Sequence, residues 1–162
     1  MKKLMKMLAL ALVALVAFSA CQKQKAVDPN VQLGIDSMLI KDFVAKNSLT
    51  GVKQLSKSGL YYQILEPGSG TGTYRGATII TVNYTGRYLS GGIFDKTTTE
   101  PRKFELGGGL IAGWQAGIPL IRKGGKIRLF IPSEYGYGPQ GKSPIPPNAV
   151  LDFDIELVDV QY

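Results

Sequence analysis

Histidine is absent from this 162-residue chain, and cysteine occurs only once, at Cys21. These absences argue against zinc sites built from the two residue types, against catalytic triads that need an imidazole, and against the commonest general base. A single cysteine also excludes an internal disulfide. The glycine run 107–109 lacks the spacing and the lysine of a phosphate-binding loop. We therefore expect an apolar binding site with a few polar groups, no metal and no cofactor.

Long blocks of like charge are also missing, although basic residues are in excess. The chain has 19 Lys and Arg against 12 Asp and Glu, a formal net charge of +7. Lys2, Lys3 and Lys6 all precede Cys21, so the chain from Cys21 onward has 16 basic and 12 acidic residues, a net +4. A nucleic-acid partner would need a basic stripe or a recognisable binding motif. We therefore predict no nucleic-acid partner.

Residues 1–20 have the pattern of a secretion signal. A lysine-rich start is followed by an apolar run from Met7 to Phe18 and by the small residues Ser19 and Ala20. The apolar run is shorter than the roughly 20 residues that span a bilayer, so a removed signal is favoured over a membrane helix.

Cys21 directly follows these small residues, in a pattern that resembles a bacterial lipobox, whose cysteine is lipidated. The alternative is a conventional signal peptide beside an unrelated cysteine, but a lone exposed thiol is a liability in a secreted protein. We therefore predict lipidation at Cys21, a polar tether over residues 21–30, and a lipid-anchored protein of the bacterial cell envelope. Gln22 is not an acidic retention signal, which favours the outer membrane, on its periplasmic or surface face.

An amphipathic helix is predicted from Val31 to Asn47, within a helical extension that covers residues 31–54. Its apolar residues recur at spacings of three and four, which places them on one helical face. They are Ile35, Leu39, Ile40, Phe43 and Val44. A helix of this length is marginal in water without packing. It is expected to pack on its own domain or on a second copy, so monomer and helix-mediated dimer both remain open.

Residues 55–162 are predicted to form an α+β domain. Alternating apolar residues indicate strands around Leu60–Ile64, Ile80–Tyr84, Ile127–Ile131 and Leu151–Leu157. The segment from Gly113 to Ile121 is predicted to be helical, with Trp114, Ile118 and Ile121 on one face, and Pro119 keeps it short. The predicted architecture is a curved antiparallel β-sheet wrapped around one short α-helix, with the N-terminal helical extension added to it.

Seven short motifs follow one another through this domain. They are Tyr84-Thr85-Gly86, Phe94-Asp95, Phe104-Glu105-Leu106-Gly107, Ile111-Ala112-Gly113-Trp114, Tyr135-Gly136-Tyr137-Gly138, Ile145-Pro146-Pro147-Asn148-Ala149 and Phe153-Asp154-Ile155-Glu156-Leu157. In this order they resemble the FKBP-type peptidyl-prolyl cis-trans isomerases, in a bacterial lipoprotein form. The resemblance covers the chain from about Leu55 to Tyr162. It implies proline-containing polypeptides as substrates and macrolide immunosuppressants as inhibitors.

The resemblance also implies roles for nine residues. Trp114 would form the floor of a proline pocket, Asp95 its polar edge beside the twisting bond, and Tyr137 a hydroxyl donor to a neighbouring carbonyl. The catalytic set would be Asp95, Tyr137, Tyr84, Phe94, Trp114 and Phe153, and the substrate-binding set Phe104, Leu110 and Ile111. Ile111 would in addition offer its backbone N–H to the substrate. Prolyl isomerisation suits such a site because it breaks no bond and needs no nucleophile.

Other interpretations of the same residues exist. Inward aromatic residues are more often plain core, and the alternative role of Asp95 is to cap a turn. The leading hypothesis is an isomerase that assists the folding of exported proteins. The alternatives are a lipid-anchored chaperone or proline-peptide binding module with little turnover, and a structural surface lipoprotein. Arg102 and Lys142 add positive charge at the predicted rim, which would favour acidic or neutral residues beside the substrate proline.

Overall fold

The computed structural model describes residues 28–56 and 58–162. Two α-helices and seven β-strands, joined in places by short 3-10 turns, make up this part of the chain. In chain order they are α1 (Pro29–Lys46), β1 (Lys53–Leu55), β2 (Leu60–Glu66), β3 (Ile79–Tyr88), β4 (Ile93–Lys96), β5 (Arg102–Glu105), α2 (Ala112–Gly117), β6 (Lys126–Ile131) and β7 (Leu151–Gln161). The 3-10 turns are Ile118–Leu120, Ser133–Tyr135 and Gly138–Gln140.

The seven strands form one antiparallel sheet in the order β1-β2-β6-β7-β3-β4, with β5 paired to β3 beside β4. β7 lies in the middle, between β6 and β3. The register along β3 shifts at Thr81/Val82 against β7 and at Gly86/Arg87 against β4, because each partner strand has one extra residue there, a bulge that bends the sheet. The predicted α+β class, with an antiparallel sheet and one short helix against it, is confirmed.

The concave face of the sheet holds the main core. Every second residue of each central strand is buried there, as the alternation predicts. The buried set includes Ile80, Val82, Tyr84, Ile127, Leu129, Ile131, Leu151, Phe153, Ile155 and Leu157. Helix α2 lies close against β6, since a Cβ on Gly113 would stand 2.5 Å from Ile131. This glycine lets the helix bring Trp114 down onto the sheet.

Helix α1 packs on the opposite, convex face. It begins at Pro29, two residues before the predicted start, with the Asp28 carboxylate accepting from the Asn30 N–H at 2.8 Å as an N-cap. Ile40 is fully buried, and Phe43 and Val44 pack beside it against Phe130. The Phe43 and Phe130 rings are 5.8 Å apart. The helix therefore docks on its own domain.

The predicted apolar face of α1 is wrong in two positions. Ile35 and Leu39 are 39% and 49% exposed, while Asp36, between Ile35 and Ser37, is fully buried. Asp36 accepts hydrogen bonds from Ser133, and the Ser37 hydroxyl lies 2.9 Å from the hydroxyl of Tyr61. These polar contacts rotate the helix so that Asp36 and Ile40, one turn apart, both face the domain.

Within the described residues, no helix combines the length and the apolar character needed to cross a bilayer. The predicted signal peptide, the lipidation site Cys21 and the tether up to residue 27 lie outside those residues. The predicted division of the chain into signal, tether, helical extension and domain therefore stays a prediction.

Candidate functional site

A cavity of about 380 Å³ opens on the concave side, between the sheet, α2 and the loop after β6. All nine residues of the predicted catalytic and substrate-binding sets line it. They are Tyr84, Phe94, Asp95, Phe104, Leu110, Ile111, Trp114, Tyr137 and Phe153. Arg102, Lys142, Gly108 and Gly109 complete the lining.

Trp114 forms the floor of the cavity. The side chain is 3% exposed and sits in the first turn of α2. Three rings meet it edge-on: Tyr84 at 5.1 Å and 83°, Phe153 at 5.3 Å and 83°, and Phe104 at 5.8 Å and 87° between centroids and planes. This arrangement suits the electrostatics of aromatic pairs and holds the indole in one orientation. The buried indole Nε1 has no hydrogen-bond partner among the described residues.

The far wall is made by Phe94 and Phe153, whose rings meet at 5.5 Å and 85°. Gly86 lies behind them on β3, because a Cβ there would stand 2.6 Å from the Phe153 ring and 2.7 Å from the Phe94 ring. Gly86 is paired with Asp95 and with Phe153 in the sheet. The glycine of the Tyr-Thr-Gly motif is therefore required by the close approach of these two rings.

The polar edge is a connected group of Tyr84, Asp95 and Arg102. The Tyr84 hydroxyl donates to Asp95 Oδ2 at 2.5 Å, and Arg102 Nη1 donates to the Tyr84 hydroxyl oxygen at 2.8 Å. Arg102 Nη1 also lies 3.4 Å from Asp95 Oδ2. Burial, helped by the hydrogen bond to Asp95, raises the pKa of Tyr84 to about 12. The phenol therefore stays protonated at neutral pH and holds Asp95 in place.

Tyr137 lines the cavity from the loop between β6 and β7, at the start of the 3-10 turn Gly138–Gln140. Burial first, and then the negative charge of Asp95, raise its pKa above the usual value for tyrosine. A raised pKa keeps the hydroxyl able to donate a hydrogen bond throughout the physiological pH range.

Leu110 and Ile111 form the rim next to the floor. Ile111 is the residue before α2, and its carbonyl accepts from the Trp114 N–H at 3.0 Å. The N–H of a residue in this position is not used in the helical ladder. Gln115 Nε2 donates to the Leu110 carbonyl at 2.7 Å, which fixes the loop that leads into the helix.

The contacts of Arg102 with the polar edge of the cavity were not predicted from the sequence. Arg102 was expected at the rim only as a positive charge, but it bonds to Tyr84 and Asp95 inside the site. A signal was present in the sequence: Arg102 and Phe104 are two residues apart on one strand and therefore share a face. The pairing of β5 with β3 turns that face toward the cavity.

Within residues 28–56 and 58–162, no group of three or more His, Cys, Asp or Glu side chains is arranged so that it could hold a metal ion. The cavity itself offers aromatic surface, two tyrosine hydroxyls and one carboxylate bonded to a guanidinium. Such a site can hold a small apolar ring and donate hydrogen bonds to carbonyls near it.

Comparison with known proteins assigns the chain to a family. The sequence model of the FKBP-type peptidyl-prolyl cis-trans isomerases matches residues 71–158. The chain belongs to this family. The match confirms the family resemblance drawn from the seven motifs.

Individual relatives agree with this FKBP assignment. The FKBP-type peptidyl-prolyl cis-trans isomerase FkpA of Escherichia coli K12 is 47% identical over 113 residues, which are 68% of this chain and 41% of that protein. FK506-binding protein 1 of Candida glabrata is 40% identical over 108 residues, 64% of this chain and 95% of that protein. The chain thus spans less than half the length of the FkpA protein it matches, and nearly all of the shorter yeast protein.

Two solved structures have the same fold. A peptidyl-prolyl cis-trans isomerase from Pseudomonas syringae aligns with a TM-score of 0.69 and 32% identity, covering 85% of this chain and 99% of that one. FkpA from Escherichia coli aligns with a TM-score of 0.69 and 35% identity, covering 97% of this chain and 71% of that one. The roles of the individual cavity residues remain predictions.

Proposed function

We propose that this protein is a peptidyl-prolyl cis-trans isomerase that assists the folding of exported, proline-containing polypeptides. The observation that supports it most is the cavity around Trp114, in which an aromatic floor and walls stand beside the Tyr84, Asp95 and Arg102 group. The substrate proline ring would rest on the indole of Trp114. The walls would exclude water from the amide that precedes the proline.

Catalysis in this site needs no covalent step. Rotation about an X-Pro amide faces a barrier of roughly 18–20 kcal/mol, because the planar amide must lose its resonance. A dry aromatic site that accommodates the twisted amide stabilises the transition state relative to the planar ground state. A thousandfold acceleration needs only about 4 kcal/mol of such differential stabilisation.

The polar groups would act on the carbonyls around the proline. Tyr137 would donate its hydroxyl to a carbonyl next to the proline, and the Ile111 N–H would bind another. Asp95, held by Tyr84 and Arg102, would supply the polar edge of the site beside the twisting bond. Phe94, Phe104, Phe153 and Leu110 would complete the apolar enclosure.

The experiment that tests this function is the cis-to-trans rate of a short Leu-Pro-Phe peptide with the full chain. We expect a rate well above the spontaneous one. Asp95→Val should lower it about tenfold, and Tyr137→Phe about fivefold, because one hydrogen bond made in the transition state is lost with the Tyr137 hydroxyl. Tyr135→Phe, in the same loop, is the matched control and should leave the rate unchanged. A folded protein without acceleration that still binds proline peptides would be a binding module instead.

We also propose that the protein is anchored to a membrane by a lipid. Cys21 would be lipidated after removal of residues 1–20, anchoring the domain in the bacterial cell envelope, at the outer membrane. Support for this comes from the sequence pattern alone. Mass spectrometry of the mature chain should show acyl groups on Cys21, and Cys21→Ser should release the protein from membranes. An unmodified Cys21 on a processed chain would contradict the anchor.

Ligands and assembly are proposed from the same features. Macrolide immunosuppressants should occupy the cavity and inhibit, since they would use the same apolar floor.

A helix-mediated dimer is supported by the residues that α1 leaves exposed, Val31, Ile35, Met38 and Leu39. Sedimentation equilibrium of the full chain and of Met38→Glu distinguishes the dimer from the monomer. Only for a dimer that uses this face should the measured molar mass fall from that of two chains to that of one in the variant.

A further inference from the structure

Asp36 is a fully buried carboxylate outside the cavity, on helix α1. Its Oδ2 accepts the backbone N–H of Ser133 at 2.8 Å and the Ser133 hydroxyl at 2.6 Å. Its Oδ1 accepts from Gln32 Nε2 at 2.7 Å, one helical turn earlier. A buried carboxylate is tolerated only where hydrogen bonds replace its hydration, so these donors fix the position of α1 on the domain.

The loop that carries Tyr137 begins at Pro132, after β6, and Ser133 is its second residue. It is itself buried and opens the 3-10 turn Ser133–Tyr135, whose first N–H groups have no acceptor within the turn. Asp36 supplies the missing acceptor from a different element. The turn is then closed by the Gly136 N–H, which donates to the Ser133 carbonyl at 3.0 Å.

Tyr137 lies two residues after this turn, with Gly136 between them. It precedes the second 3-10 turn, Gly138–Gln140, whose Gly138 carbonyl accepts from the Asn148 N–H at 3.0 Å. The segment that presents Tyr137 to the cavity is thus held at its end by Asn148 and at its beginning by Asp36. Of these two supports, only Asp36 comes from the N-terminal helix.

We propose that Asp36 is a positioning residue for Tyr137, so that helix α1 tunes the isomerase site from the opposite face of the sheet. This inference rests on the proposed function for its effect on turnover. The structural link from Asp36 through Ser133 to Tyr137 can be tested separately. Loss of the carboxylate should loosen the start of the loop and let the Tyr137 hydroxyl depart from the position in which it donates.

The test uses Asp36→Asn in the full chain, because asparagine keeps the shape of the side chain but removes its charge. Ser37→Ala is the matched control. It removes the neighbouring hydrogen bond from α1 to the domain, that between Ser37 and Tyr61, without contacting the loop. Ser133→Ala removes only the hydroxyl donor and serves as a second variant should Asp36→Asn fail to fold.

The first readout is fluorine NMR of the chain labelled with fluorotyrosine. The Tyr137 resonance is assigned by its disappearance in Tyr137→Phe. We expect Asp36→Asn to shift or broaden this resonance and Ser37→Ala to leave it in place. This readout does not depend on activity, so it decides the positioning even if the wild-type chain does not isomerise a peptide.

The second readout is kcat/KM for the Leu-Pro-Phe peptide, in a double-mutant cycle. Asp36→Asn should lower it about fivefold, and should have no further effect in the Tyr137→Phe background. Ser37→Ala should change it in neither background. The proposal is overturned by an unchanged Tyr137 resonance, by a loss of activity that persists in full without the Tyr137 hydroxyl, or by a shifted resonance with unchanged kinetics in an active enzyme.

Discussion

The two faces of the sheet use the same strands for opposite purposes. On the concave face, Phe153 of β7 packs against Trp114 and leaves an open cavity. On the convex face, its neighbours Asp152 and Asp154 bind arginines of β6 and β3, and helix α1 covers part of the surface. The comparison teaches that the cavity and the arginine–aspartate pairs lie on opposite sides of one strand, so that a pair can be altered without changing a residue that lines the cavity.

The largest effect is expected from the convex face, through Arg128. Its guanidinium donates to both carboxylate oxygens of Asp152, at 2.9 and 2.8 Å, and the Asp152 side chain is 2% exposed. Arg128→Ala would leave this buried charge unpaired, which costs about 3–5 kcal/mol of unfolding free energy. Urea unfolding measures it, while kcat/KM of the folded fraction should stay within about twofold, since the cavity is untouched.

Arg87→Ala is the matched control for this prediction. Arg87 binds Asp154 at 2.6 Å on the same face, but both partners are partly exposed. Such a pair contributes about 1 kcal/mol or less. Equal losses in the Arg87 and Arg128 variants would contradict the distinction between a buried and an exposed carboxylate.

The next effect concerns the concave face, at Trp114. Trp114→Phe keeps an aromatic ring but removes the floor area beneath the expected proline ring, so affinity for a macrolide should fall about tenfold. The unfolding free energy should change by only about 1 kcal/mol, because the indole N–H that is lost has no partner among the described residues. Fluorescence titration and urea unfolding give the two values. A large stability loss with unchanged affinity would make Trp114 a plain core residue.

The smallest effect is expected at the rim. The charge of Arg102 is matched by Asp95, so Lys142 is left to set the preference of the entrance for charged peptides. Lys142→Glu should shift the ratio of rates for peptides with Glu and with Lys before proline by about threefold toward Lys, and added salt should reduce the shift.

Lys103→Glu provides the control for the rim charge. Lys103 is exposed and lies between Arg102 and Phe104 on β5, so it projects to the other side of that strand. It should leave the ratio unchanged. An equal shift in both variants would indicate a general effect of net charge rather than one of the rim.

Much of this comparison could be predicted from the sequence. Alternation along β3 and β7 identifies the concave core correctly, because successive side chains of a strand point to opposite faces of the sheet, and the twist of the sheet does not change this period of two. The cavity residues lie on different strands and loops, so periodicity could not predict that they line one site. Only the order of the motifs along the chain, through the family resemblance, predicted it. Side-chain chemistry alone does not say which inward aromatic residue lines a cavity and which fills the core.

Helix α1 shows where prediction from periodicity ends. The periodic pattern predicts that Ile35 and Leu39 are buried. It contains no information on hydrogen bonds between a carboxylate of the helix and donors in a distant part of the chain. Asp36 finds them in Ser133, nearly a hundred residues later, and the helix rotates accordingly. Phe130 is similar: it faces away from the concave core and is buried in the second cluster, to which α1 contributes Ile40 and Phe43.

The place of β7 has a consequence for biosynthesis. This strand lies between β6 and β3, yet both of them precede it in the chain. As the polypeptide emerges, β2 and β6 can form one ribbon, and β3, β4 and β5 another, but nothing joins the two ribbons until residues Leu151–Gln161 are available. The sheet of such a domain cannot close before residues Leu151–Gln161 have been synthesised, and until then the hydrophobic surfaces of the two ribbons lack the strand that joins them.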